Sequence, residues 1–332
     1  MNWKNYFLNS LETKRFQAED GENLYYRTIG EGHPVVLLHG FGMNNSHWLP
    51  FVLNQRGRYQ FIIPDLRGFG ASRNAYNCYD DVLQRHAKDV MALADYLGLD
   101  KFSLMGYSLG GLTSLQIFET YGDDRLTNAI LIDIMPRIKP DDSWRWSIFG
   151  DNGEKRLLSW RRLTARIMSE IGVMKESEFL FDDLSDRSRF HMVRILGHFM
   201  ADATRHSWAK MMFRKMSRFR LVMNVLFPME YWYVFMDHAK SFVTEDYDFR
   251  EALRKLDIPV SVITGAQSHV FPCESQIEMA QMIPNGSIEI LLHSGHVLML
   301  DEPINFYRAM KRGLSRHAEH ESEEVEIATA SA

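Results

Sequence analysis

Short apolar runs alternate along the chain with stretches whose apolar residues recur at helical spacing. The runs are mostly continuous and rich in branched residues, which is typical of strands buried on both faces. They comprise residues 23–27, 34–38, 61–63, 101–105, 129–132, 260–264 and 288–292. Residues 80–97 and 108–121 have the spacing of helices between such strands. The sequence therefore predicts an α/β fold, with a mostly parallel sheet flanked by helices.

The alternation stops near Pro136, and strand signals are missing from residues 137–245. We interpret this stretch as a helical cap, inserted after the strand that ends at Asp133, with a core made of residues 1–136 and 246–315. The last residues, 316–332, carry five glutamates and no large aromatic residue. Such a composition predicts a flexible acidic tail.

The predicted cap is unusually rich in large, adaptable apolar side chains. It holds five of the seven Trp and ten of the nineteen Met residues of the chain. Some of them have to form a small core within the cap itself. A segment of this size has little interior, however, and methionine suits irregular apolar cavities. The composition therefore favours a cap that lines an apolar cavity.

The overall charge and cysteine content exclude some classes of protein. The 332 residues include 38 basic and 43 acidic side chains, so the chain as a whole has no general attraction for nucleic acid. Two cysteines, Cys78 and Cys273, are too few for a disulfide scaffold and fit a reducing compartment. No apolar run has the length that crosses a bilayer. We therefore expect a cytoplasmic protein.

The strongest chemical signal is Gly106-Tyr107-Ser108-Leu109-Gly110-Gly111, between a predicted strand and a predicted helix. A Gly-x-Ser-x-Gly sequence at such a junction forms a sharp turn that exposes the serine hydroxyl. Glycines flank the serine because the turn leaves no room for side chains, and the helix N-terminus stabilises developing negative charge. This predicts Ser108 as a nucleophile, the alternative being a glycine-rich turn with an incidental serine.

With this turn the chain resembles the α/β-hydrolase superfamily, and the resemblance covers most of the chain outside the insertion. The loop 39–42 reads His-Gly-Phe-Gly after a strand, and the resemblance implies that the backbone amides of Phe41 and Leu109 form an oxyanion hole. The neighbouring His39, Gly40 and Tyr107 are assigned to substrate contact. The turn 65–72, Asp-Leu-Arg-Gly-Phe-Gly-Ala-Ser, is similar to one whose residues are mostly structural in the family, so Asp65 and Arg67 receive no catalytic role.

A histidine pair after the last predicted strand supplies the candidate base. The segment His293-Ser294-Gly295-His296 stands where the family places its catalytic histidine, which implies that role for His296 and leaves His293 as a loop residue. An imidazole suits the role because it takes up and returns a proton near neutral pH.

The acid departs from the family pattern. The usual carboxylate follows the penultimate strand in Gly-x-x-Asp, but that stretch places Ser268 at the acid position. A serine supplies no negative charge to stabilise an imidazolium. The best replacement is Asp133, at the carboxyl end of the strand after the nucleophile helix, where some relatives carry their acid. A missing acid and the carboxylates of Asp301 or Glu274 remain the alternatives.

One part of the predicted cap has a distinctive charge pattern. Between Ala203 and Met229 there are six basic residues and no acidic one, and several apolar side chains share one helical face. The basic residues are Arg205, Lys210, Arg214, Lys215, Arg218 and Arg220. Residues 205–220 therefore have two interpretations: contact with an anionic membrane surface, or a cap helix whose basic side faces water.

The expected function is hydrolysis of a small, hydrophobic carboxylic ester through an acyl-enzyme on Ser108, with no cofactor and no metal. The serine at position 108 argues against dehalogenase and epoxide hydrolase chemistry, which use an aspartate there in this family. The same groups also serve lactones, thioesters and carbon–carbon bonds. A hypothesis from another class is a ligand receptor on the same fold with weak or lost catalysis, which the displaced acid motivates.

Overall fold

The computed structural model describes residues 12–75, 81–150, 153–172, 179–216 and 231–330. An eight-stranded sheet forms its centre, with strands β1 Lys14–Gln17, β2 Asn23–Ile29, β3 His33–Leu38, β4 Tyr59–Pro64, β5 Phe102–Tyr107, β6 Leu126–Ile132, β7 Val260–Gly265 and β8 Gly286–Leu291. Their spatial order is β1-β2-β4-β3-β5-β6-β7-β8. Only the pairings of β2 with β1 and with β4 are antiparallel in this sheet. The predicted α/β fold is confirmed, and β1 is the strand that the sequence pattern did not indicate.

The α-helices of the described residues are α1 Leu49–Val52, α2 Val82–Tyr96, α3 Leu109–Tyr121, α4 Gly153–Ile171, α5 Asp186–Ala203, α6 Ser207–Met216, α7 Trp232–Thr244, α8 Arg250–Arg254, α9 Cys273–Met282, α10 Leu298–Asp301 and α11 Pro303–Ala330. The two predicted core helices correspond to α2 and α3. Helix α2 begins where the Asp81 side chain accepts a hydrogen bond from the backbone N–H of Gln84, as N-cap residues do. Among the described residues no helix has the length and apolarity needed to cross a membrane.

The register of the sheet brings the carboxyl ends of its central strands to one edge. Leu38 of β3 lies opposite Gly106 of β5, and Tyr107 lies opposite Ile132 of β6. Ile132 in turn lies opposite Ile263 of β7. Every residue of β5, β6 and β7 is buried, which agrees with their continuous apolar sequences. The loops that follow these strands therefore start side by side on a rigid base.

We call residues 137–245 the helical insertion, following the predicted boundaries. Its described part contains α4, α5, α6 and α7 and no strand of the sheet. Arg137 closes the base of the insertion, because its guanidinium pairs with Asp246 at 3.1 Å and with Asp248 at 2.8 Å. The chain therefore leaves the core and returns to it at nearly the same place.

The C-terminal end, predicted as a flexible tail, is helical over most of its length. Helix α11 continues without a break from Pro303 to Ala330. Its first half is fixed to the sheet, where the Asn128 side chain donates a hydrogen bond of 2.8 Å to the carbonyl of Gly313. Adding residues to an existing helix is far easier than starting one, and Glu, Ala and Arg are good helix formers. The acidic composition is therefore compatible with a continued helix.

Candidate active site

Ser108 occupies a strained turn between β5 and α3. Its backbone has φ 52° and ψ −115°, and it is one of two described non-glycine residues with positive φ. Such backbone conformations persist only where the surrounding structure enforces them, and they cluster at functional sites. The turn lifts the hydroxyl off the end of the sheet, directly before the first turn of α3.

Two glycines allow this turn to pack against its neighbours. A Cβ atom on Gly106 would lie 2.3 Å from the carbonyl oxygen of Gly110, and one on Gly110 would lie 2.4 Å from the carbonyl oxygen of Leu38. Both distances are far inside van der Waals contact, and the obstructing atoms are backbone atoms that cannot rotate away. The glycines are therefore required by sterics, as the sequence motif predicts, and they draw the loop after β3 against the start of α3.

The structure brings Ser108, His296 and Asp133 into one hydrogen-bonded chain. His296 Nε2 lies 3.0 Å from Ser108 Oγ, and His296 Nδ1 lies 2.6 Å from Asp133 Oδ2. Their exposed fractions are 6% for Ser108, 4% for His296 and 0% for Asp133. These three side chains come from the ends of β5 and β6 and from the loop after β8, and they meet in a site from which most water is excluded.

Asp133 reaches His296 because its own backbone turns sharply. It is the second described non-glycine residue with positive φ, at 45°. Ser268, at the position where the family usually has its acid, donates its hydroxyl to Asp133 Oδ2 at 2.7 Å. The serine therefore supports the displaced carboxylate instead of replacing it.

The alternative carboxylates lie elsewhere. Asp301 accepts hydrogen bonds from Arg205 and from the backbone N–H of Gly295. Glu274 lies exposed in the first turn of α9. Asp133 is therefore the carboxylate that the structure places on the histidine.

Gln276 is a residue of this site that the sequence analysis missed. Its Nε2 donates to Asp133 Oδ1 and to the carbonyl of Phe271, both at 2.9 Å, and its Oε1 accepts from the backbone N–H of Ile134 at 3.2 Å. The side chain is completely buried. It binds Asp133 Oδ1, whereas His296 contacts Oδ2. A lone glutamine in a helical stretch gives no signal of this in the sequence.

The predicted oxyanion residues lie beside Ser108. Leu109 is the first residue of α3, and Phe41 lies in the loop after β3. Both line the same cavity as Ser108. The phenyl ring of Phe41 packs edge-on against Phe69, with ring centroids 5.2 Å apart. This contact holds the loop that carries its backbone amide.

His39 supports this loop, and its assignment to substrate contact stays a prediction. Its Nε2 accepts the backbone N–H of Leu66 at 3.0 Å, so Nδ1 carries the proton and donates to the carbonyl of Gly40 at 2.8 Å. Burial lowers the pKa of the His39 imidazole and keeps it neutral. Both ring nitrogens are thus occupied, and His39 lines neither of the cavities that contain Ser108.

Gly40 and Tyr107 hold the loop and the base in place. A Cβ atom on Gly40 would lie 2.8 Å from the Tyr107 ring, so a side chain there would displace it. The Tyr107 hydroxyl donates to the backbone carbonyl of His296 at 2.9 Å, and the two rings stack with centroids 5.3 Å apart. Tyr107 also lines the cavity beside His296, whereas Gly40 lines neither cavity at Ser108.

The turn predicted to be structural bonds to neighbouring loops and to helix α2. Asp65 accepts the backbone N–H groups of Asn45 at 2.6 Å and of Ala71 at 2.8 Å. The buried guanidinium of Arg67 pairs with Asp89 at 2.8 Å and with Asp20 at 3.0 Å. These contacts fix the core beneath the site and leave both residues out of reach of the nucleophile.

Within the described part of the chain, two cavities meet at Ser108. The inner cavity has a volume of about 60 Å³ and lies between the sheet end and the insertion, with Leu112, Trp160, Phe235 and His238 among its walls. The outer cavity has a volume of about 810 Å³ and includes His296, Tyr107, Met200 and Met299. His296 lines only the outer of the two. The site is therefore strongly asymmetric, with a small apolar space on one side of the nucleophile and a large one on the other.

Among the described residues that line the inner cavity, only His238 is an acid or base that titrates near neutral pH, and it is uncharged. Its Nδ1 donates to the carbonyl of Val234 at 2.7 Å, and no described residue bonds its Nε2. Burial lowers the pKa of this imidazole to about 4. The cavity therefore presents no charge to a ligand at neutral pH. The sequence analysis did not single out this residue.

Comparisons with known proteins identify the fold family. Residues 33–303 match the family model described as the alpha/beta hydrolase fold. A pimeloyl-[acyl-carrier protein] methyl ester esterase of Aliivibrio fischeri is 24% identical, covering 89% of this chain and 98% of the relative. A non-heme chloroperoxidase of Kitasatospora aureofaciens is 26% identical, covering 84% of this chain and 90% of the relative.

A solved structure gives the same answer. The crystal structure of an esterase from a Rhodococcus species superposes with a TM-score of 0.66 at 22% identity, covering 92% of this chain and 99% of the other. At that identity the likeness shows the fold alone. The family match covers most of the chain, and the predicted resemblance is confirmed. The chain belongs to the alpha/beta hydrolase fold family and is a hydrolase enzyme.

Proposed function

We propose that the protein is a serine esterase that cleaves hydrophobic carboxylic esters through an acyl-enzyme on Ser108. The observation that carries this proposal is the chain of hydrogen bonds from Ser108 through His296 to Asp133, at 3.0 and 2.6 Å. A nucleophile within reach of a base, which is itself oriented by a third group, is the arrangement that acyl transfer requires.

The proposed reaction runs in two halves. Ser108 Oγ attacks the ester carbonyl carbon, its proton passes to His296 Nε2, and the oxyanion lies against the amides of Phe41 and Leu109. The carbon–oxygen bond to the alcohol then breaks, and His296 protonates the departing alcohol. A water molecule next gives its proton to His296 and attacks the acyl carbonyl. The acid leaves, and Ser108 Oγ regains the proton.

The two cavities suggest where the halves of the ester bind. His296 has to protonate the leaving oxygen, so we place the alcohol in the outer cavity, which His296 lines. The acyl chain then occupies the inner cavity, of about 60 Å³. About 10–15 Å³ of such free space holds one water molecule, so the inner cavity has room for only a few, and we infer that it accepts a short acyl chain. We therefore propose a short acyl group on a larger, hydrophobic alcohol.

A panel of esters tests this assignment. We expect kcat/KM on nitrophenyl esters to be highest for short acyl chains and to fall by at least tenfold for long ones. A long chain would have to displace the packed side chains around the inner cavity, which costs free energy. Phe235→Ala, which enlarges the inner cavity, should move the optimum to longer chains. Met200→Ala, in the outer cavity alone, is the matched control and should leave the acyl optimum unchanged. A wild-type optimum at long acyl chains would reverse the assignment.

Lactones, thioesters and carbon–carbon bonds remain substrates that the same groups can serve, and the panel should include one of each. The receptor hypothesis loses its main motive, because Asp133 supplies the carboxylate that position 268 lacks. Labelling by a fluorophosphonate, detected by intact mass, separates the two classes. An enzyme should be labelled rapidly on Ser108, whereas a receptor with weak catalysis should not be.

A further inference from the structure

The mouth of the outer cavity is bordered by exposed apolar side chains. Leu300 in α10 is 79% exposed and Ile304 in α11 is 66% exposed, and both line the outer cavity together with Ser108. Single exposed apolar residues are common on protein surfaces. Two such residues at the opening of an apolar cavity are informative, because grouped apolar surface marks a binding face.

Helix α6 of the insertion adds to this border. Trp208 is 64% exposed and Met211 is 54% exposed. The start of α6 is attached beside Leu300, because Arg205 Nε pairs with Asp301 Oδ1 at 3.0 Å and a Cβ atom on Gly295 would lie 3.2 Å from Arg205. The His206 ring lies between Trp208 and Asp301. Its centroid is 6.3 Å from that of the Trp208 ring, and its Nε2 is 3.9 Å from Asp301 Oδ1. We call Trp208, Met211, Leu300 and Ile304 the apolar rim.

Basic residues follow the rim on both helices. Lys215 is exposed four positions after Met211 and therefore shares its face of α6. Arg308 and Lys311 are exposed four and seven positions after Ile304, on its face of α11. Residues 204–216 contain no acidic side chain. Arg218 and Arg220, the last basic residues of the segment predicted to contact a membrane, lie outside the described residues, as does the side chain of Arg214.

We propose that the apolar rim docks on an anionic lipid surface, with Lys215, Arg308 and Lys311 against the headgroups and the mouth of the outer cavity opened towards the acyl layer. Large apolar side chains beside basic ones are the combination that binds such interfaces. The surrounding positive charge favours an anionic lipid layer over a neutral apolar partner. The docking needs no catalysis, but its benefit rests on the proposed function. A hydrophobic alcohol moiety would enter the outer cavity from the layer without crossing water.

Vesicle binding tests the docking with catalysis removed. Full-length Ser108→Ala protein is mixed at low salt with vesicles of phosphatidylcholine, with or without phosphatidylglycerol. We expect binding to the anionic vesicles, weakened at least tenfold by Trp208→Ser with Met211→Ser. The matched control is Tyr96→Ser with Phe190→Ser, which removes side chains that are 61% and 54% exposed and should bind as before. Tyr96 precedes β5 at the end of the sheet opposite Ser108, and Phe190 lies ten residues, about 15 Å of helix, before Met200.

The charges are tested separately. Changing Lys215, Arg308 and Lys311 to Gln should weaken binding by up to about fivefold for each charge at low salt, and less at high salt. Lys14, Arg15 and Lys101 changed to Gln are the matched control, since these exposed residues lie away from the rim. Equal losses in both triple variants would show attraction by overall charge alone and overturn the proposed orientation.

Activity provides the link to function. The Trp208 and Met211 variant should hydrolyse a water-soluble nitrophenyl ester at the wild-type rate, but lose most of its rate on the same acyl group carried by a vesicle-bound alcohol. If no ester is hydrolysed although vesicles are bound, the proposed function fails and the docking stands. Wild-type protein that ignores anionic vesicles at low salt contradicts the docking. So does self-association that the rim variant abolishes, since the rim would then contact a second copy.

Discussion

The strand-end site and the helical insertion are held together by different kinds of contact. At the strand ends, directional hydrogen bonds fix each side chain. The Asp133 carboxylate, for example, accepts hydrogen bonds from His296, Ser268 and Gln276. In the insertion, aromatic and aliphatic side chains such as Trp160 and Phe235 pack without directional bonds around the inner cavity. Hydrogen bonds fix atoms to within fractions of an ångström, whereas apolar packing fixes volume and tolerates exchange.

Because the contacts differ, substitutions in the two regions should alter different properties of the enzyme. Changes at the strand ends should lower the rate of the chemical step and leave selectivity alone. Changes in the insertion should alter stability or the choice of ester, with the chemical step preserved. The substitutions below test whether the two regions differ in this way.

The largest effect is expected for Ser108→Ala. Removing the nucleophile of a related triad costs on the order of 10⁶-fold in turnover, and alanine is small enough for the turn between β5 and α3. Steady-state hydrolysis of a nitrophenyl ester, with thermal unfolding as a check on folding, measures it. Substantial residual esterase activity in pure variant protein would remove Ser108 from the mechanism.

A smaller effect is expected for the pH dependence of stability through His238 in the insertion. Its folded pKa is about 4, below the unfolded value near 6.5, so the unfolded chain binds the proton first as pH falls. The stabilisation is therefore complete above pH 6.5 and is lost progressively down to about pH 4, by about 3 kcal/mol. Urea titrations at several pH values measure this, and His238→Phe should flatten the curve. An unchanged slope in that variant would contradict the assignment.

The smallest effect is expected for a matched pair of hydrogen bonds, one in each region. Gln276→Leu removes the donor to Asp133 and should lower kcat roughly tenfold with little change in KM, besides destabilising the fold by about 1.5–3 kcal/mol. Ser188→Ala in the insertion removes a buried donor to Glu170 at 2.7 Å. It should cost some stability but leave kcat unchanged. If both variants lose only stability, Gln276 has no positioning role.

The sequence alone was sufficient to predict the residues whose backbone turns admit few residue types. Ser108 between glycines and His296 after the last strand were predictable because the turns that carry them admit few residue types. Asp133 was predictable as a candidate because strand ends in such a sheet meet at one edge, as the register of Tyr107 with Ile132 shows.

Other parts depended on contacts between distant segments. Gln276 acts only because α9 packs its side chain beneath Asp133, 143 positions away in the chain. The motif that contains His39 does not reveal that both of its ring nitrogens bond the backbone. The sizes of the two cavities depend on how the insertion helices pack, which apolar composition alone does not specify.

A double-mutant cycle in kcat on one ester shows whether Asp133, and not position 268, orients His296. Asp133→Asn should lower kcat about 10⁴-fold, because the amide favours the wrong imidazole tautomer. Ser268→Asp alone should help little, since the new carboxylate meets Asp133 Oδ2, which the serine hydroxyl now contacts at 2.7 Å. Combined with Asp133→Asn, it restores a carboxylate within reach of the ring and should recover part of the rate. An Asp133→Asn enzyme that turns over at nearly the wild-type rate would contradict the account.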